Sequence, residues 1–290
     1  STSRRQRQMC IRDRNNTRFI NFKLVICVLS GIALVYIIYP LFSILIFVEP
    51  NNLLESLTRP RVIDAFVLSI GTASVSTLLI ALFGIPLAYC LSRYKFPGRS
   101  IAQIIIVIPL VLPPLASGAL LLGVFNPQSF LDRLFPNVEF TQSIIGIIIA
   151  QTYVASPFMI LASMAAFDSV DKSLENVARV LGKRNLEVFV RVSIPLAKKG
   201  ILIGIVMTWI RAIGELGATL MLAYNPHTIS IQIYEDNSLG GLSQAIPGII
   251  LSILLSIVLV IVYSIIVKKS SGDTRKNNRI FSFGDPWWRN

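Results

Sequence analysis

Two ionisable residues, Arg211 and Glu215, stand four positions apart inside an otherwise apolar run, residues 200–223. On a helix that spacing puts both on one face, and ionisable groups inside a membrane span are costly and mark function by default. The chemistry open to them is electrostatic. A guanidinium attracts an oxyanion, and a carboxylate beside it repels one unless the two are paired. A second reading stays open: a structural ion pair that holds this run against a neighbour and touches no solute. Thr219 and the prolines Pro113 and Pro114 complete the set expected at a translocation route or its gate. Prolines remove backbone donors and bend a helix, which opens a cavity or simply curves the helix round its neighbours.

No catalytic constellation accompanies them. The phosphate loop G-x-x-x-x-G-K-[ST] is absent, because the only Gly-Lys pair, Gly182–Lys183, is followed by Arg184 and lacks the upstream glycine. There is no H-E-x-x-H and no nucleophile elbow, and the single histidine, His227, lies in a loop. Cys10, Cys27 and Cys90 are scattered, with neither a disulfide framework nor metal-ligand spacing. The chain is therefore expected to be no enzyme and to bind no cofactor. If ATP drives its work, ATP and magnesium sit on another polypeptide.

The elements that position these residues follow from composition. The chain is 53% hydrophobic and 14% charged, with a mean hydropathy of +0.67; soluble domains carry roughly 25% charged residues. Runs of about 20 apolar residues cross a bilayer, and six are expected, at 23–48, 65–92, 101–125, 143–166, 200–223 and 246–267. An all-helical soluble core would need polar faces at helical spacing, which these runs lack. The fold class is all-α integral membrane protein, lipid-embedded. Gly71, Thr72, Ser74, Ser76 and Thr77 in the second run suit close helix contacts.

The net charge of +12 reports topology. Lys and Arg gather in the N-terminal tail (1–22), the Arg93–Arg99 turn, segment 168–199 and the tail 268–290, while residues 224–245 have none. That alternation places both termini and the 168–199 loop in the cytoplasm and makes nucleic acid an unneeded partner. Residues 23–267 form the six-span domain. The start, R-R-Q-R-Q-M-C-I-R-D-R, reads unlike a natural terminus, so the native chain is expected to begin near Asn15; an ordinary basic tail is the other reading. No cleavable signal peptide is expected.

Segment 168–199 is charged yet helical in pattern. Leu174, Val177, Ala178 and Leu181 recur at i, i+3, i+4 and i+7, giving one apolar face. Ser173 is expected to cap this helix, with Glu175 in its first turn at the positive end of the dipole. Gly182 can adopt the left-handed conformation that ends it. The helix either docks on a partner or lies on the membrane surface.

The spacing of this segment resembles the permease subunits of ABC importers, whose pattern is E-A-A-x-x-x-G-x9-I-x-L-P. It falls on Asn176, Val177, Ala178, Gly182, Val192, Ile194 and Pro195; Ala178, Gly182 and Pro195 match outright, and Asn176 replaces the usual Glu, with Glu175 one place earlier. The resemblance implies a type I importer permease in which Glu175, Asn176, Val177, Ala178, Arg179, Gly182 and Pro195 belong to a coupling helix docked on an ATP-binding subunit.

Two further runs, Trp209–Pro226 (W-I-R-A-I-G-E-L-G-A-T-L-M-L-A-Y-N-P) and Ile108–Gly118 (I-P-L-V-L-P-P-L-A-S-G), resemble molybdate/tungstate permeases and their sulfate relatives. In all, the resemblance covers about residues 60–267. It implies a homodimer, an extracytoplasmic oxyanion-binding protein, and alternating access driven by movement of the helix near 174–188. The rivals are a sulfate, thiosulfate or other small-substrate importer of the same architecture, and an ion-coupled secondary transporter, for which neither duplicated halves nor further buried acids are seen.

Overall fold

A computed structural model of the chain describes residues 24–44 and 57–280, the side chains only as far as residue 265. The N-terminal tail 1–22, the end of the first expected span and the last ten residues lie outside the described residues. Helices dominate, and no strand occurs among the described residues. Contacts divide the chain into two units, residues 1–53 and 54–290. In the first, α1 (Leu24–Ser43) is 20 residues long with a mean hydropathy of 2.5, which at 1.5 Å per residue gives about 30 Å, the thickness of the hydrocarbon core.

The second unit is built around three helices. α2 (Pro60–Arg93) starts with proline in its first turn, where a missing donor costs nothing. It buries Ala65, Ser69, Thr72, Ala73, Ser76 and Ile80 on one stripe. α6 (Ile144–Asp168) starts at Ser143, whose hydroxyl accepts from Gly146 N at 3.1 Å. It lies between α2 and α9 (Ile194–Ile213). Small residues permit the approach: a Cβ added at Gly200 would meet the Ala166 Cβ at 2.5 Å, and one at Gly204 the Ala162 Cβ at 3.0 Å. At one end, Ser92 Oγ donates to Asp168 Oδ1 at 2.5 Å, tying the last turns of α2 and α6 together.

Two expected spans are broken. The third is not one helix over 101–125 but α3 (Arg99–Val111) and α4 (Pro114–Phe125), inclined at 113°. Leu112 and Pro113 each precede a proline, which disfavours the α conformation, and both are extended at ψ 137° and 135°. The kink expected from the prolines is thus a full break. The fifth is likewise not continuous over 200–223. α9 stops at Ile213, and α10 (Gly217–Leu222) begins after a three-residue interruption. There the Glu215 carboxylate accepts from Ala218 N at 2.7 Å, competing with the helical ladder.

Between the broken spans lies the short α5 (Phe130–Leu134), with Ser129 at its N-terminus. The charged segment forms α7 (Lys172–Val180), α8 (Asn185–Val188) and a wide five-residue π turn, Phe189–Ser193, that runs straight into α9. α11 (Ile229–Gly240) packs on α12 (Leu242–Ile280), whose helix continues well past residue 267. By length and apolarity, α1, α2, α6 and α12 (over Leu242–Ile265) can cross a membrane, and the bent α3–α4 pair makes a fifth candidate. α9 is distinguished from these because every 18-residue stretch of it contains all of Lys198, Lys199 and Arg211.

Candidate functional site: a coupling surface and a pair of broken helices

α7 is short, polar and capped, but not by the residue expected. Asp171 holds the N-cap position and its Oδ1 accepts from Ser173 N at 2.9 Å, so Ser173 lies inside the first turn. An aspartate at that position is committed to its own backbone before the serine can cap. The same backbone amide, with the Ser173 side chain, holds the Asp171 carboxyl below the ordinary aspartate range. At the other end Gly182 has φ 84°. Gly182 N donates to Arg179 O at 2.9 Å and Lys183 N to Ala178 O at 3.1 Å, the bond pair of a Schellman ending.

The expected apolar face is presented to the outside of this chain. Leu174 and Val177 are exposed, Ala178 is half-buried, and Leu181 is 77% exposed, with Val180 beside it at 87%. Leu186, Val190 and Pro195 continue the exposed surface. Asn176 and Arg179 are engaged with each other, Arg179 Nη1 donating to Asn176 Oδ1 at 2.8 Å. Glu175 points the opposite way. It is 1% exposed and accepts from Arg93 Nε at 2.9 Å and from Ser193 Oγ at 2.8 Å. Arg93 carried no signal beyond topology in the sequence, since its partner is 82 positions away.

The second constellation is the meeting of the two breaks. Pro113, Pro114, Arg211 and Glu215 line one open cavity of about 360 Å3, with Gly214 and Gly217 among its other walls. Arg211 Nη1 lies 2.6 Å from Glu215 Oε2; Glu215 is buried and Arg211 is 27% exposed. The pairing that the sequence left open is present, and the guanidinium still reaches the cavity. Glu215 is neutralised on one oxygen by Arg211 and bonded on the other by a peptide N–H, so it adds little free negative charge. Thr219 is the expected member that this cavity lacks. It is fully buried and its hydroxyl donates to Glu215 O and Leu216 O in the interruption just before its helix. α4 and α10 touch backbone to backbone: a Cβ at Gly217 would meet the Pro114 Cβ at 2.5 Å, and one at Gly118 the Ala218 Cα at 2.8 Å.

A second cavity, of about 600 Å3, has Arg61, Asp64, His227, Gln232 and Glu235 on its wall. His227 is not merely solvated there: its Nδ1 lies 2.7 Å from Glu235 Oε2. Among the described residues no group of three or more His, Cys, Asp and Glu side chains could hold a metal ion.

Comparison with known proteins places this geometry. Residues 80–272 match the family described as binding-protein-dependent transport system inner membrane component. The chain is 42% identical over 243 residues to the probable molybdenum ABC transporter permease protein of Haloferax volcanii, covering 83% of this chain and 90% of that one. It is 38% identical over 208 residues to the molybdate/tungstate transport system permease protein WtpB of Thermococcus kodakarensis, covering 72% and 80%. In fold it is similar to a chain of a bacterial alginate ABC transporter solved with its pentasaccharide-bound periplasmic protein, with a TM-score of 0.65, 19% identity, and 91% and 96% of the two chains covered. The exposed helix that ends at Gly182 and the membrane-spanning helices behind it are those of a multi-pass permease subunit without ATPase machinery of its own, and the chain belongs to the family of inner-membrane components of binding-protein-dependent transport systems.

Proposed function

We propose that the chain is the permease of an ATP-driven importer of molybdate or tungstate, working as a homodimer. The observation that carries the substrate class is the 42% identity to a permease named for molybdenum. The cavity between the two helix breaks supports it, because a partly exposed Arg211 faces that space while its neighbour Glu215 is already bonded. In a low-dielectric cavity a guanidinium favours a small dianion over neutral solutes.

The exposed face of α7 supports docking on an ATP-hydrolysing subunit. Apolar residues such as Val180 and, at the C-cap, Leu181 stay outside the chain on a helix flanked by charged residues; Asn176, Val177, Ala178 and Arg179 share that short element, and Gly182 ends it. ATP and magnesium belong to that subunit. The positive-inside distribution puts α7 and both termini on the cytoplasmic side, and an oxyanion-binding protein delivers substrate at the other. ATP-driven approach of the two docked subunits draws the α7 helices together and rocks the spans behind them. That alternation opens the cavity to one side of the membrane and then to the other.

The test is oxyanion uptake into proteoliposomes that hold the chain, its ATPase and its binding protein. Molybdate or tungstate uptake should require ATP, resist excess sulfate and fall at least about tenfold in Arg211→Ala with assembly intact. Sulfate-dominated uptake would replace the substrate and keep the architecture. Uptake without the ATPase would overturn the importer reading.

A further inference from the structure

Glu175 belongs to the coupling helix by sequence, yet it cannot reach a docked subunit. Its carboxylate is buried among the ends of three other elements. Oε1 accepts from Arg93 Nε at 2.9 Å and from Ser193 Oγ at 2.8 Å; Oε2 lies 3.4 Å from Tyr89 Oη and 3.5 Å from Arg179 Nη2. Arg93 is itself 4% exposed and uses Nη2 to donate to Val170 O at 3.0 Å, just beyond α6. The Tyr89 ring packs on Phe167 of α6 and Phe189 of the π turn, with centroids 5.3 and 4.7 Å away. One side chain of α7 is thus fastened to the last turn of α2, the exit of α6 and the entry of α9.

Without this fastening, α7 keeps only its two short links, residues 169–171 and 181–184, its packing on α8 and the π turn, and the Arg179–Asn185 hydrogen bond, and a force on its outer face would turn it more easily. A buried, charge-assisted contact with several donors resists such slippage far better than an exposed pair, which contributes little. We propose that Glu175, held by Arg93 and Ser193, is the positioning residue that makes α7 move with α2, α6 and α9 as one body, so that it sets how much substrate moves per ATP and not whether the ATPase docks. This rests on the permease reading given above.

The test measures molybdate uptake and ATP hydrolysis together in proteoliposomes of the complete transporter. Glu175→Gln should leave the ATPase co-purifying at the wild-type ratio and hydrolysis within about twofold, while uptake per ATP falls about tenfold or more. Arg93→Gln should do the same, and the double variant should be no worse than either single, because both remove one shared interaction. Ser193→Ala, which leaves the ion pair in place, should lower the ratio about threefold. An unchanged ratio in Glu175→Gln overturns the proposal, as does a parallel loss of assembly, hydrolysis and uptake in Arg93→Gln and Ser193→Ala. If Glu175→Gln alone fails to assemble, an unchanged ratio in Ser193→Ala overturns it. Failure of the permease reading looks different: the wild-type complex itself would take up no oxyanion in response to ATP.

Discussion

Adjacent residues on one short helix can face opposite worlds, and 175 and 176 show what decides which. They are about 100° apart around α7. The carboxylate at 175 meets Arg93 inside the bundle, and the amide at 176 stays outside with Arg179. Sequence spacing located the helix and its left-handed end at Gly182. It could not locate Arg93 or Tyr89, because these two partners of the buried carboxylate lie more than 80 positions away in the chain. The cap shows the same limit on a smaller scale: Asp171 and Ser173 are both good capping residues, and only the backbone path selects between them. The Asp171 carboxyl is depressed by the amide it accepts from. A depressed carboxyl stabilises the folded form above its unfolded value and loses that contribution as pH falls through the folded one. The start of α7 is therefore indifferent to pH around neutrality and frays only in acid. Hydrogen exchange should be faster at the Ser173 amide in Asp171→Ala at pH 7 and nearly unchanged in Asp171→Asn, whose amide oxygen still accepts; equal protection in all three would refute the cap.

At the scale of elements, the continuous apolar runs were legible and their interruptions were only half so. Prolines 113 and 114 announced a bend in the third run. In the fifth, Gly214 and Gly217 weaken a helix without ending it, and the break depends on a carboxylate capturing the Ala218 amide. Of the four pieces, α3, α4 and α10 are too short to cross a bilayer: the 12 residues of α4 span about 18 Å. Their mutual contact compensates, because α4 and α10 meet with no room for a side chain at Gly217. Gly217→Ala forces a Cβ against the Pro114 ring and the Leu115 amide, contacts that cannot yield as a flexible side chain would. It should cost about 1–3 kcal/mol, seen as a lower thermal midpoint of the detergent-solubilised transporter, and uptake should fall with it. A wild-type midpoint together with wild-type uptake would mean that the two half-helices separate freely.

For the whole molecule, basic residues and helix ends agree. The turn after α2 and the α7–α9 entry both lie at the end where Ser92 meets Asp168, and both are rich in Lys and Arg. The residues before α6, from 134 to 143, lie at its other end and contain no Lys or Arg. In a variant without native cysteines, Asn137→Cys should react with a membrane-impermeant thiol reagent in right-side-out vesicles, and Lys95→Cys only in inverted ones. The reverse pattern would invert the molecule and remove the cytoplasmic placement of α7. Helical class and membrane location could be read from composition, whereas span continuity could not, since hydropathy averages over the few residues where a chain turns.

The π turn at Phe189–Ser193 adds one residue to a circuit that an α turn would close with four. It is a point of slack between the exposed α7–α8 segment and α9. Deleting a single residue within it would let the circuit tighten to an ordinary α turn and leave the flanking helices nearly in register, because five residues of a π circuit turn through almost the same angle as four of an α circuit. The same deletion within the regular turns of α9 would instead swing everything upstream by about 100°. A chain one residue shorter in this stretch would present the same face of α7, whereas one shorter within α9 would present another.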